Sequence, residues 1–226
     1  MLIPAFNRER FIGPAIESIR RQTYANIDIL VYDDGSTDRT AEIAAGFPSV
    51  RVTRDPTNRG EGHARNRLLE LCTSEYAAWQ DSDDISHVDR LAYQVAVLNQ
   101  AGAKNLLLFT NWRFFCEPQP AGWTEPAPED TAAYRRTWPF ASALFPVAAA
   151  RQVGFREDVP LGGVDVIWRR AMERHCNAQL IMRTLYFARA HPDRIGIQKR
   201  RPENRAARLK SDQAYRRAMK RLDAHE

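Results

Sequence analysis

The stretch "YAAWQDSDDIS", residues 76–86, contains a short apolar run that leads directly into three acidic residues. The run ends at Trp79, and Asp81, Asp83 and Asp84 follow it. Two carboxylates about 4 Å apart repel each other by roughly 4 kcal/mol at an effective dielectric constant near 20. Open water, protonation or a bound cation could offset that repulsion. The stretch therefore predicts a strand followed by a turn whose charges need one of these three partners.

A second acidic pair, Asp33 and Asp34, follows another apolar run, "IDILVY" at 27–32. Strand and helix patterns alternate around both runs. This alternation predicts an α/β fold: a single domain with a mainly parallel sheet and helices on both of its faces. Ligands of such sheets bind beyond the carboxyl ends of the strands. We therefore expect both acidic clusters at one edge of the sheet.

Periodicity and capping residues predict the individual elements. Helices are predicted around Ile12–Ile19, from Ser36 or Thr37 to about Ala45, over 64–71, and after a capping box at Ser86 and Asp89. Strands are predicted at 2–3, 27–32, 50–53, 75–80 and 105–112. The four prolines of "EPQPAGWTEPAPED", residues 117–130, predict a long surface loop.

The acids after Trp79 have two interpretations. They could form a solvated turn beside a helix N-terminus, where the helix dipole favours negative charge. They could also bind Mg²⁺ or Mn²⁺, which prefer oxygen ligands and often share them with substrate phosphates. A second acidic cluster at the same sheet edge favours the metal, bound together with a diphosphate.

Composition sets the class of protein. With 226 residues and 44% hydrophobic composition, the chain can bury one sizeable core. No apolar stretch approaches the ~20 residues that span a bilayer, and "MLIPAFNRER" lacks the pattern of a signal peptide. Three widely spaced cysteines, Cys72, Cys116 and Cys176, fit buried thiols in a reducing compartment. We therefore expect a cytoplasmic protein.

The basic charge is concentrated in residues 199–226, which hold ten Lys/Arg and four Asp/Glu. The rest of the chain is nearly neutral. Nucleic-acid-binding proteins more often spread basic charge over a folded face, so no nucleic-acid partner is expected. The tail is predicted to be helical. It could be simply solvated, or it could contact anionic lipid, since each basic residue at such a surface adds roughly 1 kcal/mol. The second reading implies a peripheral location on the inner face of the membrane.

Four motifs, "IPAFN", "VYDDGSTDRT", "NRGEGHARN" and "EYAAWQDSDD", occur in the order and spacing of family 2 glycosyltransferases. These are inverting enzymes of the GT-A fold, and the resemblance extends over residues 2–196. It implies a glycosyltransferase domain at 1–198, with a nucleotide-sugar half at about 1–112, an acceptor half at about 113–198 and the tail at 199–226. It also implies transfer of a sugar from a nucleotide diphosphate, with UDP-sugars favoured, to a hydroxyl of a glycan or glycoconjugate.

Matching positions imply roles for particular residues. Asp165, in "VDVIWRRAM", matches the catalytic base, which takes the proton of the acceptor hydroxyl. Asp84 is a candidate third participant beside the metal ligands. The implied nucleotide-sugar-binding residues are Pro4, Phe6, Asn7, Asp34, Arg65 and Asp81, and the implied ligands of Mn²⁺ or Mg²⁺ are Asp81, Asp83 and His191.

Each role has a simpler alternative. Asp165 could only cap its helix, His191 could be an ordinary surface or core histidine, and Arg65 could form only a surface ion pair. The chain departs from the family at Phe6, where Tyr is common, and at Val164, where an acid is frequent. Its first strand, preceding Pro4, is short.

Two other classes of protein remain open. One is a non-catalytic binding or scaffold protein that retains the fold. The other is a sugar nucleotidyltransferase, although "PAFNRERFIG" lacks the glycine-rich loop that would hold a triphosphate.

Overall fold

The computed structural model describes residues 1–102, 104–116, 139–159, 163–191, 194 and 205–224. The strands are β1 (Leu2–Ala5), β2 (Ile29–Asp33), β3 (Val50–Arg54), β4 (Tyr76–Ala78), β5 (Ile85–Ser86), β6 (Leu106–Cys116), β7 (Leu144–Pro146) and β8 (Asn177–Ala190). The helices are α1 (Ile12–Arg20), α2 (Thr40–Ala45), α3 (Glu61–Leu71), α4 (Arg90–Ala101), α5 (Val147–Val153), α6 (Val164–Met172) and α7 (Arg205–Asp223). The predicted loop at 117–130 lies outside the described residues.

The first sheet has the order β1-β2-β3, and both of its pairings are parallel. Leu30 of β2 packs in one core together with Leu68 of α3. Val31, the next residue, packs in a second core with Ile16 of α1. Successive side chains of a strand point to opposite faces, so this sheet carries a helix on each face. The α/β fold class expected from the sequence is confirmed.

The second sheet has the order β4-β7-β6-β8-β5 and is mixed. β6 pairs parallel with β8, whereas the pairs β4–β7, β6–β7 and β5–β8 are antiparallel. A parallel bridge between Leu2 and Trp79 joins this sheet to the first. The mainly parallel character expected from the sequence therefore holds for the first sheet, whereas the second sheet keeps one parallel pairing, β6–β8, among antiparallel ones.

Two predicted helix starts are wrong. Ser86 does not cap α4 but lies in β5, where its hydroxyl donates to Oε1 of Gln80 at 2.6 Å, and α4 begins at Arg90. Likewise α2 begins at Thr40 rather than beside Ser36, because the Ser36 hydroxyl donates to Asp33 instead. In both cases a hydrogen bond to a side chain three or six positions earlier in the chain takes the hydroxyl away from the capping position.

The largest core surrounds Trp79, which has no exposed surface. The rings of Phe145 and Trp168 lie 5.2 and 6.2 Å from it, centroid to centroid. Ala214 and Ala218 of α7 are buried in the same core. The terminal helix therefore packs against α6 on one side and presents its basic residues on the other. No helix of the described residues is long and apolar enough to cross a bilayer.

Candidate active site

Two loops meet at the carboxyl ends of β1 and β2. The backbone N–H of Asn7 donates to the Ser36 hydroxyl at 2.9 Å, and the amide oxygen of Asn7 accepts the N–H of Thr37 at 2.9 Å. Asn7 has a φ of 50°, a left-handed conformation that Asn tolerates better than most residues. Its side chain thus holds the two loops together. Beside it Phe6 is 39% exposed and offers an open aromatic face, while Pro4 is half-buried in β1.

Asp34 lies just beyond β2 and is 3% exposed. Its two carboxylate oxygens accept the backbone N–H groups of Arg59 at 3.0 Å and Gly60 at 2.7 Å. Gly35 has a φ of +73°, and a Cβ there would come within 2.5 Å of the backbone carbon of Thr57. Only glycine permits this approach. Asp34 therefore fixes the loop that leads into α3.

The three acids after Trp79 come together as expected. Asp81, Asp83 and Asp84 each offer one carboxylate oxygen within 4.8 Å of the others. They differ in their remaining contacts, and these contacts separate their possible roles.

Asp84 is fully buried and already bound by the protein. Its Oδ1 accepts the backbone N–H of Arg189 at 2.8 Å, and its Oδ2 accepts the Tyr186 hydroxyl at 3.0 Å. Arg194 Nη1 also donates to Oδ1, at 3.2 Å. Burial, followed by the charge of Asp83, raises the pKa of Asp84 well above its ordinary value. These contacts make Asp84 an anchor of the acidic turn.

Two basic side chains lie beside the same oxygen of Asp83. Nε2 of His191 lies 3.0 Å from Oδ2, and Nε of Arg8 lies 3.3 Å from it. Burial favours the neutral acid, but the hydrogen bond to His191 and the charge of Arg8 outweigh it, so the pKa of Asp83 is lowered. Asp83 is thus held as a carboxylate.

His191 is 9% exposed, and its ring centroid lies 4.5 Å from that of Phe11. Within the described part of the chain, its buried Nδ1 has no hydrogen-bond partner. The ring therefore lies beside Asp83 and is largely shielded from solvent, so its position is not that of a surface histidine.

Asp81 pairs with Arg65, whose Nη2 lies 3.2 Å from Oδ1. Burial, opposed by the charge of Arg65 and reinforced by that of Asp83, raises the pKa of Asp81 to about 6. Arg65 is only 2% exposed and also pairs with Glu61. The alternative of a surface ion pair is therefore wrong for Arg65. Its guanidinium lies 4.6 Å from the centroid of the Phe140 ring.

Asp165 is the second residue of α6 and is half-buried. Its Oδ1 accepts the backbone N–H of Gly163 at 3.2 Å, which is a capping contact. Burial lowers the pKa of Arg65, but the charges of Glu61, Asp81 and Asp165 together raise it above its ordinary value. Asp165 therefore caps its helix and also lies within electrostatic reach of the acidic edge.

The segment before α6 is positioned by α3. Asn66 brackets Phe155: its Oδ1 accepts the Phe155 N–H at 2.7 Å and its Nδ2 donates to the Phe155 carbonyl at 3.1 Å. A Cβ on Gly62 would lie 2.3 Å from the carbonyl oxygen of Arg156, so glycine is needed for this contact. The "GHARN" segment thus supports the chain that leads to Asp165.

The residues present suit a divalent cation, because Asp81, Asp83 and Asp84 bring carboxylate oxygens together and the His191 ring lies beside Asp83. Two carboxylates and an imidazole form a donor set that Mn²⁺ accepts, and Mg²⁺ accepts the oxygens. Since no described residue binds Nδ1 of His191, that ring can turn or bind a further group. Asp84 fits less well, because both of its oxygens already accept hydrogen bonds.

Sequence reasoning missed four charged or polar contacts of the site. Arg8 follows Asn7 directly, and Glu61 lies one helical turn before Arg65, so spacing could have indicated both. Tyr186 and Arg194 flank His191 in "LYFARAHPDR", residues 185–194. Nothing in their spacing showed that they would reach Asp84.

The GT-A class of glycosyltransferases has this architecture: a first sheet of parallel β-α-β units, a mixed second sheet, and acids at the strand ends that the two sheets share. Residues 1–143 match the family model described as Glycosyl transferase family 2. The chain belongs to that family, as the motifs predict.

Curated relatives agree with this assignment. An "Uncharacterized glycosyltransferase" of Haemophilus influenzae is 34% identical over 122 residues, which are 52% of this chain and 47% of the relative. The chain spans about a third to a half of the length of such relatives.

Solved structures share the fold. S. aureus TarS 1–349 in complex with UDP-GlcNAc has a TM-score of 0.68 and 19% identity, over 84% of this chain and 58% of that one. The mannosyltransferase PcManGT from Pyrobaculum calidifontis, in complex with GDP-Man and Mn²⁺, has a TM-score of 0.63 and 20% identity. That match covers 83% of this chain and 55% of the mannosyltransferase.

Proposed function

We propose that this chain is an inverting, metal-dependent glycosyltransferase that moves a sugar from a nucleotide diphosphate to a hydroxyl of a glycan or glycoconjugate. The observation that carries the proposal is the convergence of the Asp81, Asp83 and Asp84 carboxylates, with His191 beside Asp83 and with Arg8 connecting Asp83 to the Phe6 loop. Such an edge offers a cation site and an aromatic face next to each other, as a nucleotide diphosphate requires.

The donor would bind across the loops that follow β1 and β2. Phe6 would stack on the base, and the remaining lone pairs of Asp34 would accept from a base N–H. Pro4 and Asn7 shape the loop beneath the base, and Arg65 and Asp81 would lie near the ribose. UDP-sugars are our first choice, because TarS was crystallised with UDP-GlcNAc. The GDP-Man complex of PcManGT makes GDP-sugars the next candidates.

Asp81, Asp83 and His191 would hold Mn²⁺ or Mg²⁺. When bound, the ion would stabilise the negative charge that develops on the departing diphosphate. Asp84, tied to Arg189 and Tyr186, would keep the acidic turn in place.

Asp165 is proposed as the base that removes the proton of the acceptor hydroxyl, which allows a single displacement with inversion. Its position at the start of α6 supports this role because a half-buried carboxylate there retains an open oxygen. The capping contact with Gly163 occupies only Oδ1.

The division into a transferase domain at 1–198 and a basic tail at 199–226 also remains a proposal. Exposed basic residues on α7 support contact with anionic lipid: Lys210, Arg216, Arg217, Lys220 and Arg221. The buried Ala214 and Ala218 face the core on the other side. In this arrangement the protein would lie in the cytoplasm, peripherally on the inner face of the membrane.

A panel of UDP-, GDP-, CDP- and dTDP-sugars, each with and without Mn²⁺, tests the proposal by thermal shift. At a ligand concentration of 100 Kd the stabilisation is about 2.7 kcal/mol, which raises Tm by roughly 5–10 °C in a chain of this size. One nucleotide class should stand out and should require Mn²⁺. Slow donor hydrolysis separates an active transferase from a scaffold that only binds, and no shift with any donor contradicts the proposal.

A further inference from the structure

We propose that Arg8 is a built-in counter-ion of Asp83 that competes with the divalent cation and thereby couples metal binding to nucleotide binding. The proposal rests on the function proposed above and adds a control to the same site. Arg8 was not among the residues indicated by the sequence motifs.

The geometry at Asp83 carries the proposal. Arg8 Nε and His191 Nε2 lie 3.3 and 3.0 Å from the same oxygen, Oδ2. The side chain of Arg8 is 14% exposed, so this contact is largely shielded from water. Asp83 Oδ2 is therefore hydrogen-bonded to His191 and ion-paired with Arg8 before any metal arrives.

A divalent cation bound at Oδ2 would lie close to the guanidinium of Arg8. Two positive charges that both lie beside one carboxylate oxygen repel each other strongly in a poorly solvated site. His191 can turn its Nε2 from Asp83 to the metal, but a guanidinium has no lone pair with which to bind a cation. Arg8 must therefore leave Asp83 when the metal binds.

The loop around Arg8 determines where the guanidinium can move. The backbone N–H of Arg8 donates to Thr40 Oγ1 at 2.7 Å, so its backbone is anchored. Its Nη1 donates to the carbonyls of Phe6 at 3.2 Å and Asn7 at 2.9 Å. Rotation of the side chain about this anchor keeps the guanidinium beside the loop on which the nucleotide is proposed to bind.

A nucleotide diphosphate on that loop offers Arg8 an anionic partner to replace Asp83. Arginine pairs well with phosphate oxygens because its planar fork donates two parallel hydrogen bonds. The diphosphate draws Arg8 away from Asp83 and so frees the metal site, and the metal in turn releases Arg8 for the diphosphate. The two ligands should therefore bind with positive coupling. By contrast Arg194 is tied to Asp84 and to the carbonyl of Arg189, and it is not expected to compete.

The test measures Mn²⁺ affinity by calorimetry or electron paramagnetic resonance, with and without UDP, in the full chain. In the absence of UDP, Arg8→Gln should bind Mn²⁺ at least about fivefold more tightly than wild type, since couplings of this kind span about 5–150-fold. UDP should then improve the Mn²⁺ affinity of Arg8→Gln much less than it improves that of wild type. Arg8→Lys retains the competing charge, so its Mn²⁺ affinity without UDP should remain close to that of wild type.

Arg39→Gln is the matched control, because it removes one charge from the neighbouring loop. Among the acids that the structure describes, only the exposed Glu42 lies within ion-pair distance of Arg39. This variant should keep the Mn²⁺ affinity and the UDP coupling of wild type.

Equal Mn²⁺ affinities of wild type and Arg8→Gln, with UDP coupling unchanged, would overturn the role of Arg8 and leave the proposed function standing. If wild type binds neither Mn²⁺ nor any nucleotide of the panel, the proposed function fails and the role of Arg8 fails with it. If Arg8→Gln does not fold, as judged by its thermal unfolding, Arg8→Lys decides: tighter Mn²⁺ binding than wild type contradicts competition by charge.

Discussion

Arg65 Nη2 and Asp81 Oδ1 lie 3.2 Å apart within the protein, although sixteen positions separate the two residues in the chain. The contact joins α3 to the acidic turn after β4. Arg65 is enclosed by aromatic rings and needs negative partners, because a buried unpaired charge is costly. This pair therefore connects the stability of the fold to the proposed donor site.

Arg65→Met should destabilise the protein by about 2–4 kcal/mol, because Glu61 and Asp81 lose their buried counter-ion. Arg67→Met is the matched control on the same helix. Arg67 pairs with Glu70 at the surface, and exposed pairs contribute less than about 1 kcal/mol. Urea unfolding followed by circular dichroism gives both values. Similar losses in the two variants would show that the burial of Arg65 has no energetic consequence.

Asp83→Asn should weaken Mn²⁺ affinity by about 100-fold or more, since it removes a negatively charged ligand at the centre of the proposed site. Asp84→Asn should weaken it by less than about tenfold, because the amide can still accept from Arg189 and exchange a hydrogen bond with Tyr186. Calorimetry with Mn²⁺ in the presence of UDP compares the two neighbours. The reverse order would make Asp84 the ligand and Asp83 the anchor.

Asp165→Asn should separate binding from chemistry. The amide keeps the capping oxygen but loses basicity, so donor affinity should change by less than about threefold, or ~0.7 kcal/mol. Sugar transfer should fall by about 10²–10⁴-fold, as is usual when a general base is lost. Asp158→Asn serves as the control, because Asp158 pairs with Arg156 at the surface. Full transfer activity in Asp165→Asn would rule out its proposed role, and a loss of transfer in Asp158→Asn would assign the base to Asp158 instead.

Replacing Arg216 and Arg217 with Gln should weaken co-sedimentation with vesicles that contain phosphatidylserine. The loss should be clearest at low salt, because surface charges are screened over about 10 Å at 0.1 M. The control removes the same charge from Arg20, the last residue of α1, and from Arg39, which precedes α2. Equal vesicle binding by the two double variants would show that α7 is only a solvated helix. Truncation of α7 is a poorer test, because Ala214 and Ala218 belong to the core.

Local patterns were sufficient to predict the framework of the site. The alternation of strands and helices predicted a sheet with helices on both faces, and the acids were expected at the ends of strands. Asp34 and Asp81 do follow β2 and β4 at one edge. This succeeds because an apolar run, the turn after it and the side chains beyond that turn are neighbours in the chain. Their relative positions hardly depend on the rest of the fold.

The tertiary structure alone decided which charges meet. His191 reaches Asp83 across 108 positions, and Tyr186 reaches Asp84 across 102. The path of β8 through the mixed sheet sets both contacts, and its pairing partners could not be read from its own composition. The burial of Arg65 could not be predicted from the sequence either. The motif indicated this residue, but only its packing against Phe140 shows that the guanidinium is enclosed. Whether Ser86 caps a helix or bonds to Gln80 was also decided by packing, since a hydroxyl binds the strongest partner that the folded chain brings within reach.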